Sequence, residues 1–463
     1  MAYDPRSFRA LTFHDAVPRF LAGGDSPRDY LERCFAAIAA REPVVRAWVC
    51  LNDAGARDAA DESTRRYREG RVLSPIDGLP IGIKDLIETK DLPTQLGSEA
   101  FAGNFPKRDS ALVRALREAG AIIIGKTVTT ELGMSQPGPT TNPFDQTRTP
   151  GGSSSGSAAA IAAGMVPASI GTQVGGSLIR PASFCGNYAL KPTLGAIHRG
   201  ERQSLSQAAA GVHAGCIEDM WRTAIEMAKR CGGDPGQPGL YGPADPPEAT
   251  RPRRLIVMET EGWPKLDAKS LKAFEELLAA IRDKGVEVWR RDDHPQVEAL
   301  EQLVAMGKAV SYAINSFEQR WTTLNIVEQF PGKLSRRMTA RLDTAQAMSL
   351  EDYRLRLQQR DEMRRRMEAL APLADAFITL GSPGPAPVWQ GDPKDGPPIA
   401  SPTGDYAFNA ATSALGSPCV CVPKLAVDGL PVGVQIVGQW HSDARITGFA
   451  RWLDQSVEPV VVA

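Results

Sequence analysis

PGGSSSGSAAAIAAGMVPASIGTQVGGSLIRPASFCG, residues 150–186, is dominated by glycine, serine and alanine and contains two Gly-Gly-Ser turns, at 151–153 and 175–177. Between them, Ala158 to Ala163 predicts a helix whose one large side chain is Ile161. So small a helix lets other backbones pack closely around it. Gly164 is placed to stop it, since glycine accepts the left-handed conformation common just past a helix end. VPASIGT (166–172) then reads as a strand. The composition of GGSSSGS alone suits a flexible linker, but a linker would not run directly into a small-residue core helix.

Outward from this block, helical and strand patterns alternate. Ser26-Pro27 reads as an N-cap and first helical position, followed by Leu31, Cys34, Phe35 and Ile38 at helical spacing. A polar helix runs from about Ala54 to Arg68. GLPIGIKDL (78–86) is strand-like, with Ile81 and Ile83 on one face and Gly82 and Lys84 on the other. Leu112, Ala115, Leu116 and Ala119 form a helical stripe ending at Gly120, and AIII (121–124) is a buried strand. LIVM (255–258), a helix from about Asp267 to Lys284, and VEVW (286–289) repeat the rhythm. The stretch from Glu301 to Leu370 is mostly helical, a Pro/Gly-rich loop spans Gly381 to Gly404, and PVGVQIVG (431–438) is a strand before a closing helix. The fold class is α/β with a substantial sheet.

Bulk properties exclude several function classes. With 54 acidic and 53 basic side chains, the net charge of −1 offers nothing to nucleic acid or an anionic membrane. The most basic stretch, Lys333 to Glu368, has the spacing of solvated helix faces. MAYDPRSFRA has an acid and no apolar h-region, and no apolar run approaches the ~20 residues of a membrane span. Seven scattered cysteines form no CxxC pair, and Cys419 and Cys421 alternate onto one face of a strand-like run, as core residues do. The five histidines lack ligand spacing, so no metal is expected. A reduced, cytoplasmic protein follows.

Chemistry concentrates in the Gly-Gly-Ser turns. Glycines let successive N–H groups converge on a ligand, and such a nest beside a serine can act as an oxyanion hole. Two other readings stay open. A phosphate loop would lack its Lys-Ser/Thr ending. Gly152-Ser153-Ser154-Ser155-Gly156 formally fits the G-x-S-x-G elbow, but nothing strand-like precedes it and only a weak downstream histidine, His441, is at hand. A serine nucleophile without histidine needs another base, usually lysine. Lysine ionises near pH 10.4, so a base at neutrality must lose ~3 units, roughly 4 kcal/mol of cation destabilisation, through burial. Lys84 lies in an apolar strand, placed for burial.

The run PGGSSSGSAAAIAAG, then GTQVGGSLIRPASFCG and LKPTLG, resembles the signature block of the amidase signature family. GLPIGIKDL resembles that family's catalytic-lysine strand, and the similarity extends through NPFDQTRTPGG and DGLPVGVQIVG, over about residues 25 to 455. It implies a single amidase domain over 1–463, a large twisted mixed sheet covered by helices on both sides. An N-terminal helical segment would run to about 70, the signature core from about 75 to 220, a variable and mostly helical substrate region from about 250 to 425, and a terminal strand and helix from about 426. It implies the triad Lys84 as base, Ser153 as bridging serine on a cis peptide bond, and Ser177 as acyl-forming nucleophile 24 residues further on. The N–H groups of Val174, Gly175, Gly176 and Ser177 would form the oxyanion hole. As a relay, Ser153 Oγ should lie about 2.6–3.2 Å from both Lys84 Nζ and Ser177 Oγ.

The implied activity is hydrolysis of an amide, anilide or carbamate through an acyl-enzyme, with no cofactor. The partner is a small-molecule substrate, with no nucleic acid and no membrane, and a homodimer is an allowed assembly. Gly133 and Met134, in the Glu131–Gln136 segment, are candidate substrate contacts, as are the 300–370 helices and the 381–404 loop with nearby Trp389 and Tyr406. The alternative is the glutaminase (A) subunit of a tRNA-dependent amidotransferase; a non-catalytic binding module is a third reading. Two departures stand out: Gln173 where many members carry Asp, and Arg180 one place beyond the usual arginine, whose position Ile179 takes.

Overall fold

The computed structural model describes residues 2–134, 136–200, 205–393 and 398–463. Twelve strands among them build one mixed sheet. They are β1 (Trp48–Leu51), β2 (Pro80–Lys84), β3 (Ile122–Thr127), β4 (Ala168–Gln173), β5 (Tyr188–Lys191), β6 (Ala209–Ala214), β7 (Arg254–Val257), β8 (Glu287–Trp289), β9 (Ala376–Leu380), β10 (Cys419–Val427), β11 (Leu430–Val437) and β12 (Val460–Val462). The spatial order is β1-β3-β2-β4-β6-β5-β10-β11-β9-β7-β8, with β12 pairing beside β10. β2 runs parallel to both β3 and β4, so Lys84 and Gln173 close neighbouring strands at the same end of the sheet. β10 and β11 form a hairpin through Asp428 and Gly429, both at positive φ (51° and 69°), the two-residue turn that suits strand twist.

Alternation along the strands fills both faces. On β10, Val420 and Val422 enter one hydrophobic cluster while Cys419 and Cys421 enter the other. Leu255 and Val257 likewise part from Ile256 on β7, and Ala376 and Ile378 from Phe377 on β9. Helices therefore cover the sheet on both sides, as expected. The helix Pro27–Val45 begins at an N-cap, Ser26 Oγ accepting from the Asp29 N–H at 3.1 Å, and buries the predicted Leu31, Cys34, Phe35 and Ile38. The predicted helices after 300 are Pro295–Val304, Gly307–Gln329, Arg336–Gln346 and Leu350–Ala369.

The small-residue helix forms one turn earlier than its alanines suggest, over Ser155–Ala162, and every residue in it is buried. The serines at its start keep their hydroxyls paired inside the protein: Ser157 Oγ lies 2.7 Å from Thr127 Oγ1, and Ser155 Oγ donates to the Val128 carbonyl at 3.2 Å. Gly164, at φ 68°, ends the helix, and the Met165 N–H returns to the Ala160 carbonyl. A Cβ at Gly156 would meet the Ala47 carbonyl oxygen at 2.2 Å and the Val128 nitrogen at 2.4 Å. Both are backbone atoms of the β1–β3 region and neither can step aside. Gly156→Ala should therefore lower stability by about 1–3 kcal/mol, read as a lower urea midpoint with unchanged slope; an unchanged midpoint would mean the helix is not held this close.

Candidate active site

Lys84 ends β2 with no exposed surface. Its Nζ lies 2.6 Å from Ser153 Oγ, 2.9 Å from Thr172 Oγ1 and 3.0 Å from Ser154 Oγ. Ser154 Oγ in turn donates to the Thr172 carbonyl at 3.2 Å. The cage is made of three hydroxyls and, at 3.4 Å, the Thr172 carbonyl, and among the described residues no carboxylate contacts Lys84. Asp85, next in the chain, turns the other way and pairs with Lys126 at 3.1 Å, both side chains fully buried. The two buried lysines thus meet opposite surroundings. Burial pushes the Lys84 ammonium well below its usual range with nothing opposing it, whereas Asp85 offsets part of the same effect at Lys126. His213, on β6, is also buried; burial first and then the Lys84 charge push its imidazole down to about 3, so it adds no positive charge here. Ser154 is the N-cap of the helix Ser155–Ala162, whose partial positive end further disfavours a cation beside it.

The two Gly-Gly-Ser turns come together over this lysine. The Gly152–Ser153 peptide is cis. Arg180 Nη2 donates to the Gly152 carbonyl at 2.6 Å and to Thr403 Oγ1 at 2.9 Å, which gives the displaced arginine a bracing role on the first turn. The Ser154 N–H reaches the Ser177 carbonyl at 3.3 Å, tying the first turn to the second. Gln173 organises that second turn. Its Oε1 accepts from the N–H groups of Leu178 (2.8 Å) and Ile179 (3.0 Å), capping the helix Ile179–Cys185. Its Nε2 donates to Ser413 Oγ at 3.0 Å, and Ser413 Oγ donates to the Gly175 carbonyl at 2.7 Å. A neutral amide here supplies both an acceptor and a donor, which a carboxylate could not. Among the described residues, the N–H groups of Val174, Gly175, Gly176 and Ser177 have no acceptor, and Ser177 Oγ makes no hydrogen bond. The expected contact between Ser153 and Ser177 hydroxyls is thus not made, while the one between Ser153 and Lys84 is.

Two cavities meet at these serines. One, of about 500 Å³, reaches Ser153 and Thr172 and is walled by Leu86, Ile87, Leu112 and Leu132. The other, of about 270 Å³, reaches Ser177 and the 174–176 turn. Gly133, Met134 and Val174 line both. Gly133 has φ 73°. Tyr406 lines the Ser177 cavity with Lys308, Tyr312 and Arg341 from the helices after 300, whereas Trp389 lines neither cavity. Glu131 turns away, accepting from Ser98 Oγ at 3.0 Å. Thr172 escaped the sequence reading because a threonine inside a strand carries no catalytic signal; Arg341 escaped it because it lay in a stretch assigned to solvated helix faces. Elsewhere, His14, Cys216 and Glu218 bring ligand-type atoms within 4.8 Å of one another, although His14 lies far from the other two in the chain. Burial and neighbouring acids push the Cys216 thiol up. No helix among the described residues is long and apolar enough to cross a membrane.

Sequence and structure comparisons agree on the class. A family model described as Amidase matches residues 29–447. The A-type subunit of the glutamyl-tRNA(Gln) amidotransferase of Chloroflexus aggregans is 32% identical, over 94% of this chain and 94% of its own. The crystal structure of an amidase superposes with a TM-score of 0.83 at 27% identity, covering 96% of this chain and 100% of that one. A peptide amidase from Stenotrophomonas maltophilia gives 0.74 at 26% identity, covering 96% and 97%. This is an amidase-type enzyme acting on carbon–nitrogen bonds. The chain belongs to the amidase signature family.

Gln173 can be tested apart from activity. Gln173→Leu keeps the bulk but leaves the Leu178 and Ile179 N–H groups buried without an acceptor, at about 1–3 kcal/mol each. A drop in unfolding free energy of at least about 2 kcal/mol is expected by chemical denaturation; no change would show that the amide does not hold the turn.

Proposed function

We propose that this chain hydrolyses a carboxamide-type C–N bond of a small molecule through an acyl-enzyme, with Ser177 as nucleophile, Ser153 as bridge and Lys84 as base. The observation that carries the reading is the 2.6 Å contact of Ser153 Oγ with a fully buried Lys84 that touches hydroxyls and no described carboxylate. A neutral amine has the lone pair that an ammonium lacks. When Ser177 Oγ turns toward Ser153, its proton passes to Ser153 as the Ser153 proton passes to Lys84, and Ser177 Oγ bonds to the substrate carbonyl carbon. Catalytic hydrogen bonds often tighten only with substrate bound. The oxyanion takes the open N–H groups of the 174–177 turn, each worth about 2.7–4 kcal/mol in such a role. The C–N bond breaks as Ser153 gives the nitrogen a proton and is replenished from Lys84. Water then repeats the sequence on the acyl-enzyme. Gly133 and Met134, shared by both cavities, would flank the scissile bond. The amide, anilide or carbamate identity of the substrate is part of this proposal, as is action as a self-sufficient enzyme in the cytoplasm.

One observation favours a second reading. The Chloroflexus relative, alike over nearly the whole of both chains, is one component of an amidotransferase, and on that reading this chain would release ammonia from glutamine for a partner. Purified protein alone separates the two. Turnover of simple primary amides or anilides without any partner supports the free-standing hydrolase, and turnover of glutamine restricted to a complex supports the amidotransferase component.

Ser177→Ala should lower kcat/KM by at least about 10⁴-fold, and a sulfonyl fluoride should label Ser177 in peptide mapping. A label on Ser154 would support the elbow mechanism instead. Lys84→Ala should lower kcat by about 10²–10⁴-fold with a much smaller change in KM, since the proton transfer belongs to the transition state. A near-normal kcat would remove Lys84 from the mechanism.

A further inference from the structure

The Ser177 cavity has a charge its surroundings leave unbalanced. Arg180, Lys308 and Arg341 line it together with Tyr312 and Tyr406, and no described lining residue is acidic. Lys308 is neutralised by Asp405, which lies 3.1 Å from its Nζ and also serves Lys265 at 2.9 Å. Arg180 has only neutral oxygens, the Gly152 carbonyl and Thr403 Oγ1, and its buried Nε is unpaired. Arg341 goes further: among the described residues it makes no hydrogen bond and no ion pair, its Nε is enclosed without an acceptor, and its guanidinium rests 4.5 Å from the Tyr312 ring centre. Arg180 is buried and Arg341 half-buried with its Nε enclosed; a guanidinium facing a cavity without an acid partner has donors to spare, and the planar oxyanion of a carboxylate matches its fork.

We infer that Arg341, supported by Arg180, reads a carboxylate on the acyl half of the substrate, so that the enzyme prefers amides whose acyl chain ends in an acid. The inference rests on the proposed hydrolytic reading, because Ser177 shares this cavity and fixes the acyl half there. The size agrees: about 270 Å³ takes a short acyl chain rather than an extended lipid or peptide. Burial pushes the Arg180 guanidinium down only to about 10 and also lowers Arg341, so Arg180 keeps its charge at neutral pH, and an arginine remains cationic under all ordinary conditions. The broader cavity beside Ser153 holds its charged groups Glu88, Arg108, Asp109 and Arg199 in mixed sign, and so selects no single charge.

The test pairs two amides of equal chain length, glutaramate (5-amino-5-oxopentanoate, anionic) and pentanamide (neutral). For the wild type, kcat/KM should favour glutaramate by about 100-fold or more. Arg341→Met should cut that ratio by about 30-fold, and Arg341→Lys should fall between, keeping the charge but losing the fork. A ratio of one or less in the wild type, or one unchanged in Arg341→Met, overturns the inference. A second arm does not need turnover. By calorimetry, Ser177→Ala should bind glutaramate about 30-fold or more tighter than pentanamide, and adding Arg341→Met should equalise them; equal binding before that addition overturns the inference. If the wild type cleaves neither amide while Ser177→Ala still binds glutaramate selectively, the hydrolytic reading fails and the carboxylate site stands. Cleavage of both amides with equal efficiency has the opposite meaning.

Discussion

Removing the Lys84 ammonium from water is the constraint around which the centre of this molecule is arranged. An isolated cation in a protein interior is destabilised by several kcal/mol unless a carboxylate joins it or it gives up its proton. Here no described carboxylate joins it. The acid next in sequence, Asp85, is spent on Lys126, the nearby imidazole of His213 is held neutral, and the helix that begins at Ser155 presents its positive end. The spent acid and the positive helix end both disfavour the charged amine, and the neutral imidazole supplies no counter-charge. What remains is three hydroxyls within 3.0 Å, which solvate a neutral amine without fixing a charge on it. To place those hydroxyls, three chain segments must approach closely, and the alanine–glycine composition of the signature helix is what permits it.

The lysine cage and the Ser177 cavity differ in how they treat charge. Around Lys84 cationic character is suppressed; in the Ser177 cavity, at Arg180 and Arg341, it is kept with no ion pair among the described residues. On the proposed mechanism this division has a use. The base must lose its charge to work, while a group that recognises an acid must hold its charge at every ordinary pH, and arginine does so where lysine would not. Gln173 belongs to neither set. It stitches the oxyanion turn to the helix behind it through Leu178, Ile179 and Ser413, the last of which reaches the Gly175 carbonyl, without adding charge to a site where charge is closely placed.

Much of the fold and of the site's centre was legible in the sequence, for identifiable reasons. Strong periodicity located the helix from Pro27 and the strands around Ile81 and Ile123, and the long Gly-Ser-Ala block marked the place where backbones crowd. Strands β5 and β6 were not foreseen, since YALK and AAGVHA hold too many small or mixed residues to display an alternating pattern. The short helix Ile179–Cys185 was hidden behind its internal Pro181. At the site, Lys84, Ser153 and the 174–177 turn were nameable in advance from motif spacing. Thr172 and Arg341 were not, because their importance lies in which groups they face, and Arg341 sits in a run of basic residues with nothing in the sequence to single it out. Long-range placement decided both, and a linear pattern does not carry it.

The most direct measurement is the protonation of Lys84 itself. In protein carrying carbon-13 and nitrogen-15 labelled lysine, the Lys84 side-chain resonances, assigned by their loss in Lys84→Met, can be followed by NMR from neutral to alkaline pH. The account predicts a neutral amine over most of that range, with a midpoint well below the ordinary 10.5. A Lys84 that stays an ammonium up to 10.5 or beyond would contradict it, because a charged amine in this cage could accept no proton from Ser153.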